Sequence, residues 1–190
     1  MDIALGLIIG IGLSAACGFR LFVPFLVMGL AHRAGQLPLA DGFAWIGTMP
    51  AIAAFTTATV LEILAYYIPW VDNLLDTITT PSAAVAGTFL AASQLGEASP
   101  LMQWSLAAIA GGGTSLTVQG GTAAVRVVST GTTGGAGNFL VATLEWTMAV
   151  FLAILAVVLP LLCLLVISAV LWKMIALMKS RKQNVTMVEV

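Results

Sequence analysis

Apolar residues fall along this chain in long unbroken runs rather than in alternation or on one helical face. The runs cover residues 3–31, 43–69, 82–95, 101–128 and 139–178. A stretch that is apolar on every side predicts a helix surrounded by hydrocarbon or protein. Crossing a hydrocarbon core of about 30 Å takes about 20 such residues. The pattern therefore predicts an all-α, polytopic membrane protein of about five spans. It forms one domain over residues 1–178, with a short tail at 179–190.

Two runs do not fit straight rods. The last would be a helix of about 60 Å, twice the bilayer thickness, and it contains Pro160. It reads either as one long kinked helix or as a re-entrant piece around residues 138–146 followed by a span. The fourth run holds Gly111, Gly112 and Gly113, then Gly120 and Gly121, and predicts a broken helix. Irregular backbone at depth is tolerated only where protein or a watery cavity satisfies it.

Composition agrees with the pattern. Of 190 residues, 60% are hydrophobic and 8% charged, with mean hydropathy +1.07. A soluble domain carries about 25% charged residues, so a soluble globular protein, a disordered chain and a nucleic-acid binder with a basic face are excluded. The net charge of −1 offers no long-range steering. Lys173, Lys179, Arg181 and Lys182 gather at the C-terminus, and Arg33 lies in the first joint. Five crossings put both on the cytoplasmic side. Met1 is expected to start the mature chain: Leu13–Cys17 mimics a lipoprotein signal, but no basic residue precedes it. His32, at a run end, reads as an interface residue, as do Tyr66, Tyr67 and Trp70, an aromatic belt.

Four charges remain inside the runs: Arg20, Glu62, Arg126 and Glu145. An intramembrane ionisable group is a functional candidate, and its usual partner is an opposite charge. The expected pairs are Arg20–Glu62 and Arg126–Glu145. Their Arg, Glu, Arg, Glu order suggests an inverted-topology repeat of halves 3–70 and 101–178, joined by the span at 82–95. Gly6, Gly10, Ser14 and Gly18 recur every four residues, a smooth ridge for close helix packing. Within-chain packing is favoured over a second subunit. Asp72 and Asp76 predict a short helix lying in the interface. As a cation site they offer only two ligands.

The stretch 129–138 is almost all Ser, Thr and Gly. Thr130, Thr132, Thr133 and Asn138 are candidates to coordinate an ion and shape a gate, the plainer reading being a flexible turn. It lacks a phosphate-loop ending. Cys17 and Cys163, both in apolar runs, read as small hydrophobes. No hydrolytic triad, zinc motif or Cys/His cluster is spelled out, so neither an enzyme nor a bound metal or cofactor is expected.

These features carry a resemblance. Ile68–Asp72 running on to Asp76, Pro81 followed by Ala86 and Gly87, Gly111–Thr114 followed by Arg126, then Asn138 and Leu144–Glu145, together resemble the bacterial integral-membrane family catalogued as domain of unknown function 4126. The resemblance covers nearly the whole chain and implies a multi-pass inner-membrane protein, without an activity. This chain departs from that pattern at Gly120–Thr122, where relatives tend to carry a basic residue, and at Phe139, where they often have Pro. The functional expectation is a small membrane transporter or channel for a small solute or ion, forming a homo-oligomer in the lipid bilayer. The alternatives are a scaffold whose charges only pair helices, and a lipid-handling protein with a groove open sideways.

Overall fold

The computed structural model describes residues 2–68 and 71–170, apart from the side chains of residues 72–74 and 76. The tail at 179–190, the C-terminal Lys/Arg cluster and Trp70 lie outside the described residues. Among those described, the secondary structure is helical, without strands.

Prolines and glycines set the element boundaries. Helix α1 (Ile3–Phe19) is capped by Asp2, and it ends where Arg20 turns extended, with φ −146° and ψ 126°. Helix α2 (Val23–Arg33) restarts with Pro24 in its first turn, a position where a missing N–H costs nothing. A 3₁₀ turn (Asp41–Gly47) leads into α3 (Met49–Ala65), again with proline near its start. Helix α4 (Val71–Ala92) runs through Pro81. The segment bearing Asp72 and Asp76 is thus the first part of a 22-residue helix, not a separate short one.

Helix α5 (Pro100–Leu106), a π-helical segment (Ala107–Gly112) and α6 (Gly113–Thr133) form one continuous helical run. The break expected at the triple glycine is therefore a widened turn, which keeps its backbone groups bonded. The run stops at Gly134 and Gly135, with φ of 62° and 93°, a conformation that favours glycine. Helix α7 (Asn138–Val158) is unbroken, so no re-entrant piece exists at 138–146. It ends at Leu159, ahead of Pro160, and α8 (Pro160–Val170) follows.

The direction of each helix after its break departs most from expectation. Cys163 of α8 donates from Sγ to the carbonyl of Leu152 at 3.8 Å, so α8 folds back along α7 instead of extending it. Helix α2 likewise turns back. Gly12 of α1 abuts Ala156, Arg20 reaches Glu145, and Val27 and Ala31 of α2 return to Val157 and Val158. The first apolar run thus folds back on itself instead of forming one straight helix.

The ridge on α1 is used within the chain. A Cβ on Gly10 would lie 2.9 Å from the Cα of Ala91, and one on Gly18 2.6 Å from the carbonyl oxygen of Ser115. Ser14 donates to the carbonyl of Gly87 at 2.8 Å, and Ser115 donates to the carbonyl of Ser14 at 2.6 Å. Gly6 is buried with them. Helices α1, α4 and α6 therefore meet almost backbone to backbone. Going from Ser14 to Gly18 on α1 parallels going from Ser115 to Val118 on α6. The helices leading to Arg20 and carrying Arg126 run parallel, which an inverted repeat of the two halves does not allow.

Among the described residues, α7 alone is long and apolar enough to cross a membrane; the 3₁₀ turn and α3 qualify as a pair bent by 66°.

Candidate functional site

A buried carboxylate is stable only when its charge and lone pairs are met. Glu145, on the inner face of α7 and 3% exposed, meets two guanidinium groups. Arg126 of α6 approaches in a two-point arrangement, Nε to Oε1 at 3.1 Å and Nη2 to Oε2. Arg20 contacts the same Oε2 through Nη2 at 3.1 Å and donates to the carbonyl of Ala142 at 3.2 Å. Arg126–Glu145 is thus a pair, as expected, whereas Arg20 shares Glu145 instead of pairing with Glu62.

Glu62, near the end of α3, has a different role. Its carboxylate accepts the backbone N–H groups of Leu21 (2.8 Å) and Phe22 (3.2 Å). It caps the start of α2, where unbonded amides and the helix dipole favour negative charge. The break in the chain at Arg20–Phe22 thereby has its backbone satisfied by α3.

Tyr66 lies against both arginines. Its ring centroid is 3.8 Å from Cζ of Arg20 and 4.2 Å from Cζ of Arg126, a double cation–π contact. Tyr66 is 5% exposed, so it belongs to the charged node and not to an aromatic belt. Its hydroxyl lies 3.3 Å from Oγ1 of Thr79, which accepts from Nε2 of Gln119 at 3.0 Å. Tyr67 instead packs on Phe139 and hydrogen-bonds Thr143. Tyr66→Phe should cost about 1 kcal/mol, the net worth of its hydrogen bond. Tyr66→Leu also removes both cation–π contacts, about 2 kcal/mol more when desolvated. Thermal denaturation of the purified variants measures the difference.

The buried residues of α6 are Ser115, Gln119 and Arg126, every one polar, while Leu116, Val125, Val127 and Val128 are exposed. Positions 115, 119, 126 and 130 share one face at helical spacing. This polar stripe spans roughly 22 Å and was readable from the i, i+4, i+11, i+15 pattern, although attention to charges alone passes over Ser115 and Gln119. Its far end joins the Ser/Thr/Gly stretch, where Asn138 donates from Nδ2 to Oγ1 of Thr130 at 3.0 Å.

That stretch is mostly helix, and its hydroxyls serve backbone groups. Thr132 donates to the carbonyl of Val128 at 2.9 Å; Thr133 donates to that of Ser129 at 2.7 Å and accepts from the N–H of Gly137 at 2.9 Å. Both threonines are exposed and close a tight turn rather than an ion cradle. The side chains of Asp72 and Asp76 lie outside the described residues. His32 closes a local turn onto the carbonyl of Leu37 at 2.9 Å.

A cleft of about 350 Å³ lies among α1, α6, α7 and α8. It touches the node only at Glu145 and is otherwise almost wholly apolar.

No curated protein and no solved structure matches the chain at a significant level. Residues 7–180 match the family described as domain of unknown function DUF4126. With nearly its whole length covered, from the α1 ridge through both arginines and both glutamates, the chain belongs to that family.

Proposed function

We propose that this is a multi-pass inner-membrane protein that passes a small polar solute or ion along the buried face of α6. The observation that carries the reading is the inside-out character of that helix: polar residues buried, apolar residues exposed. In water such a helix buries little apolar surface on its inner side while exposing much on its outer one, and the hydrophobic effect opposes it. In lipid the arrangement satisfies both faces.

On this reading the node of Arg20, Arg126, Glu145, Glu62 and Tyr66 is the selecting constriction of the path. Glu145 lies seven residues from the start of α7 and 13 from its end, hence about 10 Å and 20 Å from the two ends. Such depth suits a gate rather than a headgroup contact. The parallel arginine helices remove alternating access by inverted halves, so motion at the node replaces rocking of halves. The C-terminal Lys/Arg cluster assigns the C-terminus to the cytoplasmic side. With the α1 ridge consumed inside the chain, that ridge gives no reason for a second copy.

Swelling of proteoliposomes in small polar solutes, together with a trapped pH-sensitive dye, tests the proposal. Wild-type protein should carry at least one flux above empty vesicles, and Arg126→Leu should abolish it while still purifying as a folded species. Wild-type vesicles indistinguishable from empty ones, or unchanged flux in the variant, would reject it.

A second reading is favoured by one observation: Glu145 is already held by two guanidiniums, and the large cleft beside it is apolar. On that reading the charges only hold helices together. Replacing Arg20, Arg126 and Glu145 jointly by apolar residues of similar volume would then preserve function.

A further inference from the structure

We propose that the cleft among α1, α6, α7 and α8 holds one acyl chain of a bilayer phospholipid. The inference rests on the membrane reading above, and it assigns a binding site that the polar path does not use.

The cleft measures about 350 Å³. Its deep end is formed by Ala15 and Leu152, its walls include Met148 and Val118, and its mouth is bounded by Val125 and Leu144. Leu152 is buried at 3% exposure, whereas Val125 and Leu144 are 54% and 66% exposed, so the space runs from the surface to the core. Walls of this chemistry do not hold water, which needs several polar partners. Left empty, they forfeit dispersion contacts along their whole length. A flexible hydrocarbon chain restores those contacts without bringing a polar group into the cleft.

The location selects the source. The mouth opens on the outer surface of α6 and α7, where Val127, Val128 and Leu140 are also exposed. In a bilayer that surface is bathed in acyl chains, so a chain enters sideways. Among the described residues no lysine or arginine lines the cleft, and the tail alone is recognised, whatever headgroup it carries. The inner part of the chain would lie beside Glu145.

The test uses the full chain reconstituted in phosphatidylcholine vesicles doped with a phosphatidylcholine that carries a photoactivatable diazirine in mid-chain. After irradiation, adducts are mapped by mass spectrometry. Val127 and Leu140, which face outward and do not line the cleft, report on bilayer contact; Met148 and Leu152 report on the cleft. Adducts are expected at both sets. Val125→Trp, which fills the mouth, should lower the Met148 and Leu152 adducts several-fold, whereas Val127→Trp, on the same helix but outside the cleft, should not. Labelling at Val127 and Leu140 with none at Met148 or Leu152 overturns the proposal and leaves the membrane reading standing. Labelling at none of the four overturns both. A probe with a glycerol headgroup should give the same pattern, and dependence on headgroup would refute recognition by the tail alone.

Discussion

Replacing Glu145 by Leu should be the most damaging single exchange in the protein. It removes a carboxylate that Arg20 and Arg126 share and leaves two guanidiniums at 2–3% exposure without it. Breaking a buried ion pair from one side costs about 3–5 kcal/mol, because the remaining charge stays desolvated. Glu145→Gln keeps the shape and one acceptor oxygen, so its loss should be smaller. Exchanging all three residues for apolar ones of similar volume should recover much of the stability, since no stranded charge remains. The readout is the midpoint of thermal unfolding in detergent micelles, followed by loss of the monodisperse peak on gel filtration. A Glu145→Leu midpoint equal to that of the wild type would show that the node contributes little.

The second large effect is steric. Helices α1, α4 and the π segment cross where Gly87, Gly111 and Ser14 meet. A Cβ at Gly111 would fall 2.5 Å from both the carbonyl oxygen of Gly87 and Cβ of Ala91. Neither is the end of a flexible side chain, so the helices themselves must separate. Overpacking of this kind costs about 1–3 kcal/mol, and more where backbone is involved. Separation would also break the Ser14–Gly87 and Ser115–Ser14 hydrogen bonds. Gly111→Val should accordingly lower the unfolding midpoint strongly. Gly120→Ala, seven residues beyond Gly113 where a Cβ meets nothing within 4 Å, should raise it slightly, by up to about 1 kcal/mol from helix propensity. Equal effects at the two glycines would refute the crossing.

How much of this was legible in the sequence depended on the kind of question. The breaks at Pro160 and in the Ser/Thr/Gly stretch 129–138 were readable because proline and glycine act locally, through φ restriction and the left-handed region. The four charges inside the apolar runs were readable because ionised groups stand out there. Of their partners only Arg126–Glu145 was readable, since pairing depends on which helices are neighbours. Glu62 went to the amides of Leu21 and Phe22, and both arginines went to Glu145. Hydropathy measures the length of an apolar run but is blind to direction after a break. That is why α2 and α8, expected to continue their runs, turn back instead. The parallel course of α1 and α6 was hidden for the same reason, and with it went the inverted repeat. Tyr66 stood beside Tyr67 and Trp70 and read as part of an interfacial belt, although its ring packs against two guanidiniums.

The central claim is that α6 presents its polar face to a path through the protein and its apolar face to lipid. Cysteine accessibility in reconstituted vesicles tests it most directly, in a background with Cys17 and Cys163 replaced by Ala. A membrane-impermeant, hydrophilic methanethiosulfonate should react at Gln119→Cys and fail at Val127→Cys and Leu116→Cys. Reaction at Val127 and Leu116, with none at Gln119, would mean that water covers the apolar face, contradicting the account.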